Sequence, residues 1–324
     1  MLNIAVFGSG KWADRLVGSV QGKSEKIAFK AAASRNPDRH VDFGEKYGIA
    51  IRNYHEVLAD PAIDAVLIAT AHSSHRDLAV MAAEAGKHVF IEKPLALTVA
   101  DAERIIAACD KAKVRLAHGF NRRFAPAYLE MVRRLHASEI GEMLHLEGQF
   151  SGPSGYALKP GTWRAERAEC PAGAMTARGI HALDAMISMA GPVKSVFCYS
   201  ERRVLDVDID DVTSALLRFD SGVTGYLASH HATGEIWRLQ AYGTRGWLEM
   251  RGDTDLVICK LGNDPERIPL VGTDKERAEL EAFADFVAGG RAYPVTNQQA
   301  LNGIAVVEAM ISSAQSGRDT AIHQ

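Results

Sequence analysis

Cysteine is scarce. The four in 324 residues stand at Cys109, Cys170, Cys198 and Cys259, with no C-x-x-C pair and no clustering. Such spacing supports neither a disulfide framework nor a zinc site, and it points to a reducing compartment. An excess of charge of one sign is lacking too. The 37 Lys and Arg nearly balance 40 Asp and Glu, for a formal net charge of -3, so there is no basic footprint of the kind that neutralises nucleic-acid phosphates. No apolar run reaches the roughly 18 residues that would suggest a membrane span. The opening "MLNIAVFGSG" has no basic start, long apolar core or cleavage site. The expectation is a soluble cytoplasmic protein with no nucleic-acid or membrane partner and no bound metal.

No internal repeat or low-complexity linker marks a domain boundary, so the boundary must come from a change of pattern. At this length two domains are the default. Strand-like runs at Ile4 to Phe7, Ile27 to Ala33, Ala65 to Thr70, Val89 to Ile91 and Val114 to Ala117 alternate with helical stretches, which predicts parallel βαβ units. Beyond Phe124 a helical segment leads into "MLHLEGQF". A helix around Gly179 to Met189 follows, then strand runs at 194–200, 212–219, 223–230, 236–242 and 255–260. That half reads as α+β. Lys275 to Gly290 and Asn297 to Ser316 read as two closing helices. The expected division is an α/β domain over 1–121 and an α+β domain over 122–324.

The segment "IAVFGSGKWADRL" places Gly8 and Gly10 directly after the first strand, with Ala13 in the third small position of G-x-G-x-x-[GA]. Gly8 permits a tight turn and Gly10 lets the backbone approach a pyrophosphate. Ala13 lets the next helix pack closely while its N-terminus faces the anion. Lys11 and Trp12 open that helix and join the cofactor-binding candidates. A strand-to-helix turn that binds nothing is the bland alternative, but the strand, loop and helix context favours a Rossmann dinucleotide site. An NAD site usually carries an acid at the end of the second strand, whereas "FKAAASRNPDR" offers Ser34 and Arg35. A hydroxyl and a guanidinium suit a 2'-phosphate, so NADP is favoured and NAD is the lesser alternative. Arg39 or Lys11 could share that role, and a solvated loop arginine is the plain reading of Arg35.

In "HVFIEKPLAL" a short buried strand ends on Glu92, Lys93 and Pro94. Parallel sheets bind ligands beyond the carboxyl ends of their strands, and Pro94 turns Lys93 out of helical geometry so that its side chain can project there. A salt bridge between Lys93 and Glu92 is the structural alternative. Together, "FGSGKWA", "GKHVFIEKPLAL", "GFNRRFAP" and "GIHALD" resemble the Gfo/Idh/MocA family of NAD(P)-dependent oxidoreductases, over nearly the whole chain.

The resemblance implies that Lys93 lies near the nicotinamide and handles a proton. It also implies that His181, in a G-x-H-x-x-D motif with Gly179 and Asp184, binds the reacting oxygen or assists proton transfer. The loop Thr70 to His75 would run along the cofactor, with Thr70, His72, His75 and Glu92 as contacts. Arg122, Trp163 and Arg164 would line the substrate region, with the choice between Arg122 and Arg123 open. Two departures stand out. The family's acid four residues before the histidine is Ala177 here, and in an α-helix Thr176 would point some 100° away. The family's T-P-N-x-x-H appears as Thr70, Ala71, His72, Ser73, Ser74 and His75. His230 and His231, read as strand neighbours, would face opposite sides.

These readings lead to an NADP-preferring oxidoreductase that moves a hydride between nicotinamide and a hydroxyl or carbonyl carbon of a small polar, carbohydrate-like substrate. The rivals are a dinucleotide-binding regulator without turnover, for which Ala177 speaks, and an imine, enone or aldehyde reductase on the same fold. The resemblance and the clustered strands also imply a second domain with a mainly antiparallel sheet, covered by helices on one face. Its other face would be buried in a homodimer or homotetramer.

Overall fold

The computed structural model describes residues 1–322 and resolves into two compact units: Met1–Asn121 with Asp274–Asn297, and Arg122–Thr273 with Gln298–Gln324. The helix at Lys275–Val287 therefore belongs with the first unit. Its Phe283 ring meets Phe90 of the sheet at 5.6 Å, and an Asp274 side chain caps its start.

The first unit is built on β1 (Leu2–Phe7), α1 (Lys11–Val20), β2 (Ile27–Ala33), α2 (Val41–Tyr47), β3 (Ala50–Arg52), α3 (Tyr54–Ala59), β4 (Ala65–Ile68), α4 (His75–Glu84), β5 (His88–Glu92), α5 (Val99–Ala112) and β6 (Leu116–Gly119). The strands pair in parallel in the order β3-β2-β1-β4-β5-β6. This is the doubly wound order, whose direction reverses between β1 and β4. Ile4 to Phe7 and Ala65 to Ile68 are all fully buried, as expected of strands covered on both faces. The three-residue β3 is too short and too weakly apolar ("AIR") to stand out from the sequence.

The second unit contains α6 (Pro126–His136), β7 (Met143–Ser151), α7 (Ile180–Ala190), β8 (Val193–Glu201), β9 (Val212–Phe219), β10 (Thr224–His230), β11 (Ile236–Gly243), β12 (Gly246–Arg251), β13 (Asp255–Lys260) and β14 (Glu266–Pro269). After the first unit's helix α8 (Lys275–Val287), α9 (Asn297–Ser316) and β15 (Thr320–Ala321) close the chain. The nine strands run β14-β13-β12-β11-β7-β10-β9-β8-β15. All pairings are antiparallel except β10 with β7. On one face Leu146, Phe150, Leu217, Leu227 and Leu239 are buried with Leu183 and Met186 of α7 and Val306 and Met310 of α9. The other face leaves Tyr199 and Leu216 mostly exposed. Three of these strands escape sequence reading: β12 and β14, because "GWLEMR" and "ERIP" carry charges where a half-buried strand alternates, and β15, which is only two residues long. No described helix is long and apolar enough to cross a membrane.

Candidate active site

In the first unit the glycine loop is built as its spacing requires. Gly8 has φ +100°, and a Cβ there would lie 2.6 Å from the Ala69 carbonyl oxygen, so only glycine lets β1 turn so close to the end of β4. Gly10 differs. A Cβ on it would meet nothing within 4 Å, and no side chain caps α1, whose first turn it opens. The space above Gly10 is thus open and bordered by unclaimed helix N–H groups, which fits a pyrophosphate. Lys11 is exposed at the first position of α1, and Ala13 is fully buried. Ser9 Oγ and His40 Nδ1, 2.7 Å apart, tie the loop to the segment after β2.

Ser34 and Arg35 follow β2. The Ser34 hydroxyl oxygen accepts the Asn36 N–H at 3.2 Å, and the exposed Arg35 guanidinium lies beside the Tyr54 hydroxyl. Neither is a carboxylate, so an acid for a ribose 2'-hydroxyl is missing at this strand end. The Arg39 side chain lies outside the described residues.

The loop after β4 is more buried than a water-facing loop would be. Thr70 Oγ1 and Ser74 Oγ are 2.7 Å apart. His72 is buried, and its ring lies 5.7 Å from that of His75. His75 is fully buried, with Nδ1 2.9 Å from the Pro94 carbonyl oxygen. From that position it steadies the segment that carries Lys93. The Lys93–Pro94 peptide bond is cis, and Lys93 is half-buried at the carboxyl end of β5.

Glu92 is buried rather than open to a ligand. Its carboxyl presses on Gly119, where an added Cβ would sit 2.7 Å from Oε1 and 3.0 Å from Oε2. Burial pushes it up to about 7, against the opposing pull of the Lys93 charge and the Trp12 indole.

In the second unit, His181 stands in the first turn of α7 and is 6% exposed. Its ring lies 5.9 Å from Phe150. A π turn, Met175–Gly179, precedes it, closed by the Ile180 N–H to the Met175 carbonyl oxygen. This corrects the α-helical spacing used above. An i→i+5 turn therefore stands before His181, with both Thr176 and Ala177 inside it. The Thr176 hydroxyl donates to the Pro171 carbonyl oxygen, so it is engaged within the turn.

The neighbouring arginines differ in burial. Arg123 turns into the unit, 2.7 and 3.2 Å from the Asp184 carboxylate oxygens. Arg122 lies over the Phe150 ring at 4.9 Å and over Trp237 at 5.7 Å, and binds Asp253 through two contacts of 2.7 and 2.8 Å. Arg178 covers Phe150 as well, at 5.1 Å, and donates to Glu235 at 2.7 Å. A cavity of about 610 Å³ opens along Arg122, Glu235, Trp237, Arg238 and Asp253.

The meeting of Arg122, Trp237 and His181 at Phe150 was not legible, since each comes from a separate segment. Trp163 and Arg164 form a short turn with the guanidinium 4.2 Å over the indole. Arg164 is exposed and Trp163 half-buried. His230 ends β10 and His231 lies beyond it, its Nδ1 3.0 Å from Ser154 Oγ, so strand alternation does not govern the two.

A doubly wound sheet with an open glycine loop and a lysine at a strand end, joined to an α+β unit of this topology, defines a nicotinamide-dependent oxidoreductase. Residues 2–120 match the model of an oxidoreductase family with an NAD-binding Rossmann fold. Residues 128–249 match the GFO/IDH/MocA C-terminal domain. Among curated relatives, scyllo-inositol 2-dehydrogenase (NAD(+)) of Bacillus subtilis strain 168 is 32% identical over 281 residues, 81% of this chain and 79% of its own. D-xylose 1-dehydrogenase (NADP(+)) 2 of Haloferax volcanii is 27% identical over 93% of this chain and 94% of its own. The crystal structure of aldose-aldose oxidoreductase from Caulobacter crescentus, complexed with glycerol, superposes with a TM-score of 0.89 at 27% identity, covering 99% of both chains. The chain belongs to the GFO/IDH/MocA family of NAD(P)-dependent oxidoreductases.

Proposed function

We propose that the protein is an NADP-preferring dehydrogenase of a small carbohydrate or polyol. The observation that carries this reading is a lysine at the carboxyl end of β5 in the same unit as an open glycine loop. The inositol and xylose dehydrogenases among its relatives support the substrate class. The bound nicotinamide would accept or return the hydride. Gly8, Gly10, Lys11 and Trp12 would hold the pyrophosphate end, with Ser34 and Arg35 on the adenosine side and Thr70 and His72 along the loop after β4. Lys93 would exchange the proton of the substrate hydroxyl. His181 would orient the reacting oxygen, while Arg122, Trp163 and Arg164 would contribute to the substrate region. A screen of polyols and aldoses with NADP+ and NAD+, read at the absorbance of the reduced cofactor, tests the proposal. No turnover with any of them would favour a dinucleotide-binding regulator.

The cofactor preference rests on Ser34 and Arg35, because the relatives' names divide between NAD(+) and NADP(+). Arg35→Ala is expected to weaken NADP(H) binding by roughly 10-fold or more and to leave NAD(H) nearly unchanged, since only the 2'-phosphate gives the guanidinium a charged partner. Titrating both cofactors by fluorescence decides this. Equal losses, or a wild-type preference for NAD(H), would overturn it.

Self-association is part of the same reading. On the sheet face away from α7 and α9, Leu216 pairs with Tyr226 and Phe197, and Tyr199 meets Phe197 at 5.1 Å. Together they form an apolar patch of the kind that a partner covers. Light scattering at micromolar concentration is expected to report a dimer or tetramer, and Leu216→Glu a smaller species. A wild-type monomer would exclude this arrangement.

A further inference from the structure

The cavity of about 610 Å³ in the second unit enters the reading above only through Arg122, yet its volume lies in the range of small-molecule sites, on the order of 300–1,000 Å³. It adjoins His181. The rings of His181 and Trp237 pack on the same Phe150 ring, at 5.9 and 5.1 Å, and Trp237 lines the cavity. Two guanidinium groups strengthen that link. Arg122 lies over both Phe150 and Trp237, while Arg178 lies over Phe150 and donates to Glu235 on the cavity wall. A substrate held at the imidazole therefore has the cavity one aromatic ring away.

The lining is highly charged but balanced. Three guanidinium groups, of Arg122, Arg238 and Arg251, stand with three carboxylates, of Glu235, Glu249 and Asp253. All are paired: Arg122 with Asp253 at 2.7 and 2.8 Å, Arg251 and Arg238 with Glu249 at 2.5 and 3.9 Å, and Glu235 with Arg178 at 2.7 Å. An anion entering here meets as many carboxylates as guanidinium groups, so its charge gains little. A hydroxyl both donates and accepts, and can use either half of a pair.

Donors are also left over. Both Arg122 bonds to Asp253 leave from Nη1, so the Nε and Nη2 hydrogens have no acceptor among the described residues. The stack and the ion pair fix the guanidinium, whose side chain is still 22% exposed, with Asp253 at 27%. Trp237 is 6% exposed, and its Nε1 is buried without an acceptor among the described residues.

We infer that this cavity is a subsite for a second, uncharged sugar ring, and that the preferred substrate is a glycoside or disaccharide whose reacting ring sits at His181. This rests on the dehydrogenase reading above. Hydroxyl oxygens of the second ring accept from Arg122 Nε and Nη2, and its hydroxyl hydrogens go to the Asp253 and Glu235 carboxylates. Such charge-assisted bonds should make the second ring worth roughly 10-fold or more in kcat/KM. They lie away from the reacting carbon, so the gain should appear in KM rather than in kcat.

The test compares kcat and KM for cellobiose, maltose and melibiose with those for glucose and galactose, and then replaces the second ring of the best disaccharide by its uronic acid. The neutral disaccharide should lead both comparisons. Ile236→Trp, which fills the cavity from its wall at the start of β11, should lower the disaccharide-to-monosaccharide ratio of kcat/KM. A merely structural lesion would lower both terms and leave the ratio alone. Asp253→Asn keeps the shape and leaves the lining with net positive charge, so it should shift preference toward the uronic acid by roughly 10-fold. Turnover that gains nothing from a second ring, or a ratio that neither variant moves, would overturn the subsite and leave the dehydrogenase reading intact. A wild-type preference for the uronic acid would overturn the uncharged class. Absence of turnover with every polyol and saccharide would remove the dehydrogenase reading and this inference with it.

Discussion

Lys93→Met is expected to abolish turnover, by roughly 10³-fold or more in kcat, while cofactor affinity stays within a few-fold of wild type. Methionine keeps much of the length and apolar stem of lysine and deletes the amine. The main chain that presents residue 93 does not depend on that amine. It is held by β5, by Pro94 and by the buried His75, whose Nδ1 lies 2.9 Å from the Pro94 carbonyl oxygen. Nor does the pyrophosphate site depend on it, since the open space lies at Gly10 and the turn at Gly8. Binding and chemistry should therefore separate.

His181→Ala should be the milder lesion, on the order of 10²-fold. No acid stands in the turn before His181: Ala177 occupies the position four residues earlier, and the Thr176 hydroxyl is already given to Pro171. Ala177 supplies no carboxylate from the preceding turn, so that route to sharpening the imidazole as a base is closed. Single-turnover hydride transfer decides the ranking. A near-normal rate in Lys93→Met, or a larger loss in His181→Ala, would reverse the two roles.

What the sequence made legible was local. The glycine loop lies within six residues of chain, and each small residue in it answers to one contact: Gly8 to the Ala69 carbonyl, Gly10 to open space, Ala13 to close helix packing. Lys93 was legible because Pro94 ends a strand that is readable by itself. The parallel strands were clear wherever both faces are buried, and β3 was missed for being short. The π turn before His181 could not be read, because "AMTARG" carries nothing that distinguishes a five-residue turn from a four-residue one. Nor could the Phe150 stack, where Arg122 and Arg178 meet one ring from positions 28 residues before and after it. Such a meeting is decided by strand register and loop path rather than by spacing. The burial of Glu92 against Gly119 was not legible either, because the pairing of β5 with β6 brings that glycine from a separate segment.

Arg123→Met is expected to cost about 3–5 kcal/mol of stability, the range for removing one partner of a buried ion pair. The pair joins two stretches that the sequence presents as site motifs, "NRRF" and "GIHALD". Arg123 and Asp184 are 7% and 5% exposed. The guanidinium also reaches Tyr128 Oη at 2.9 Å and Gln299 Oε1 at 3.0 Å, and few of its donors are left for water. Burial pushes the Asp184 carboxyl above its ordinary range even with Arg123 drawing it down.

A carboxyl raised in the folded state binds more protons there than in the unfolded chain. Its contribution is greatest below the unfolded value and shrinks as pH climbs toward the folded one. Without Arg123 the folded value climbs further. The loss in Arg123→Met should therefore be smallest in acid, where Asp184 is neutral in both states, and should grow toward neutral pH. Adding Asp184→Asn removes the stranded charge, so the double variant should recover a measurable part of the loss at neutral pH and little in acid. Urea denaturation of the four proteins at two pH values closes the cycle. A loss under about 1 kcal/mol, the range of a water-exposed pair, or one indifferent to pH would mean that the pair is solvated and the frame held elsewhere.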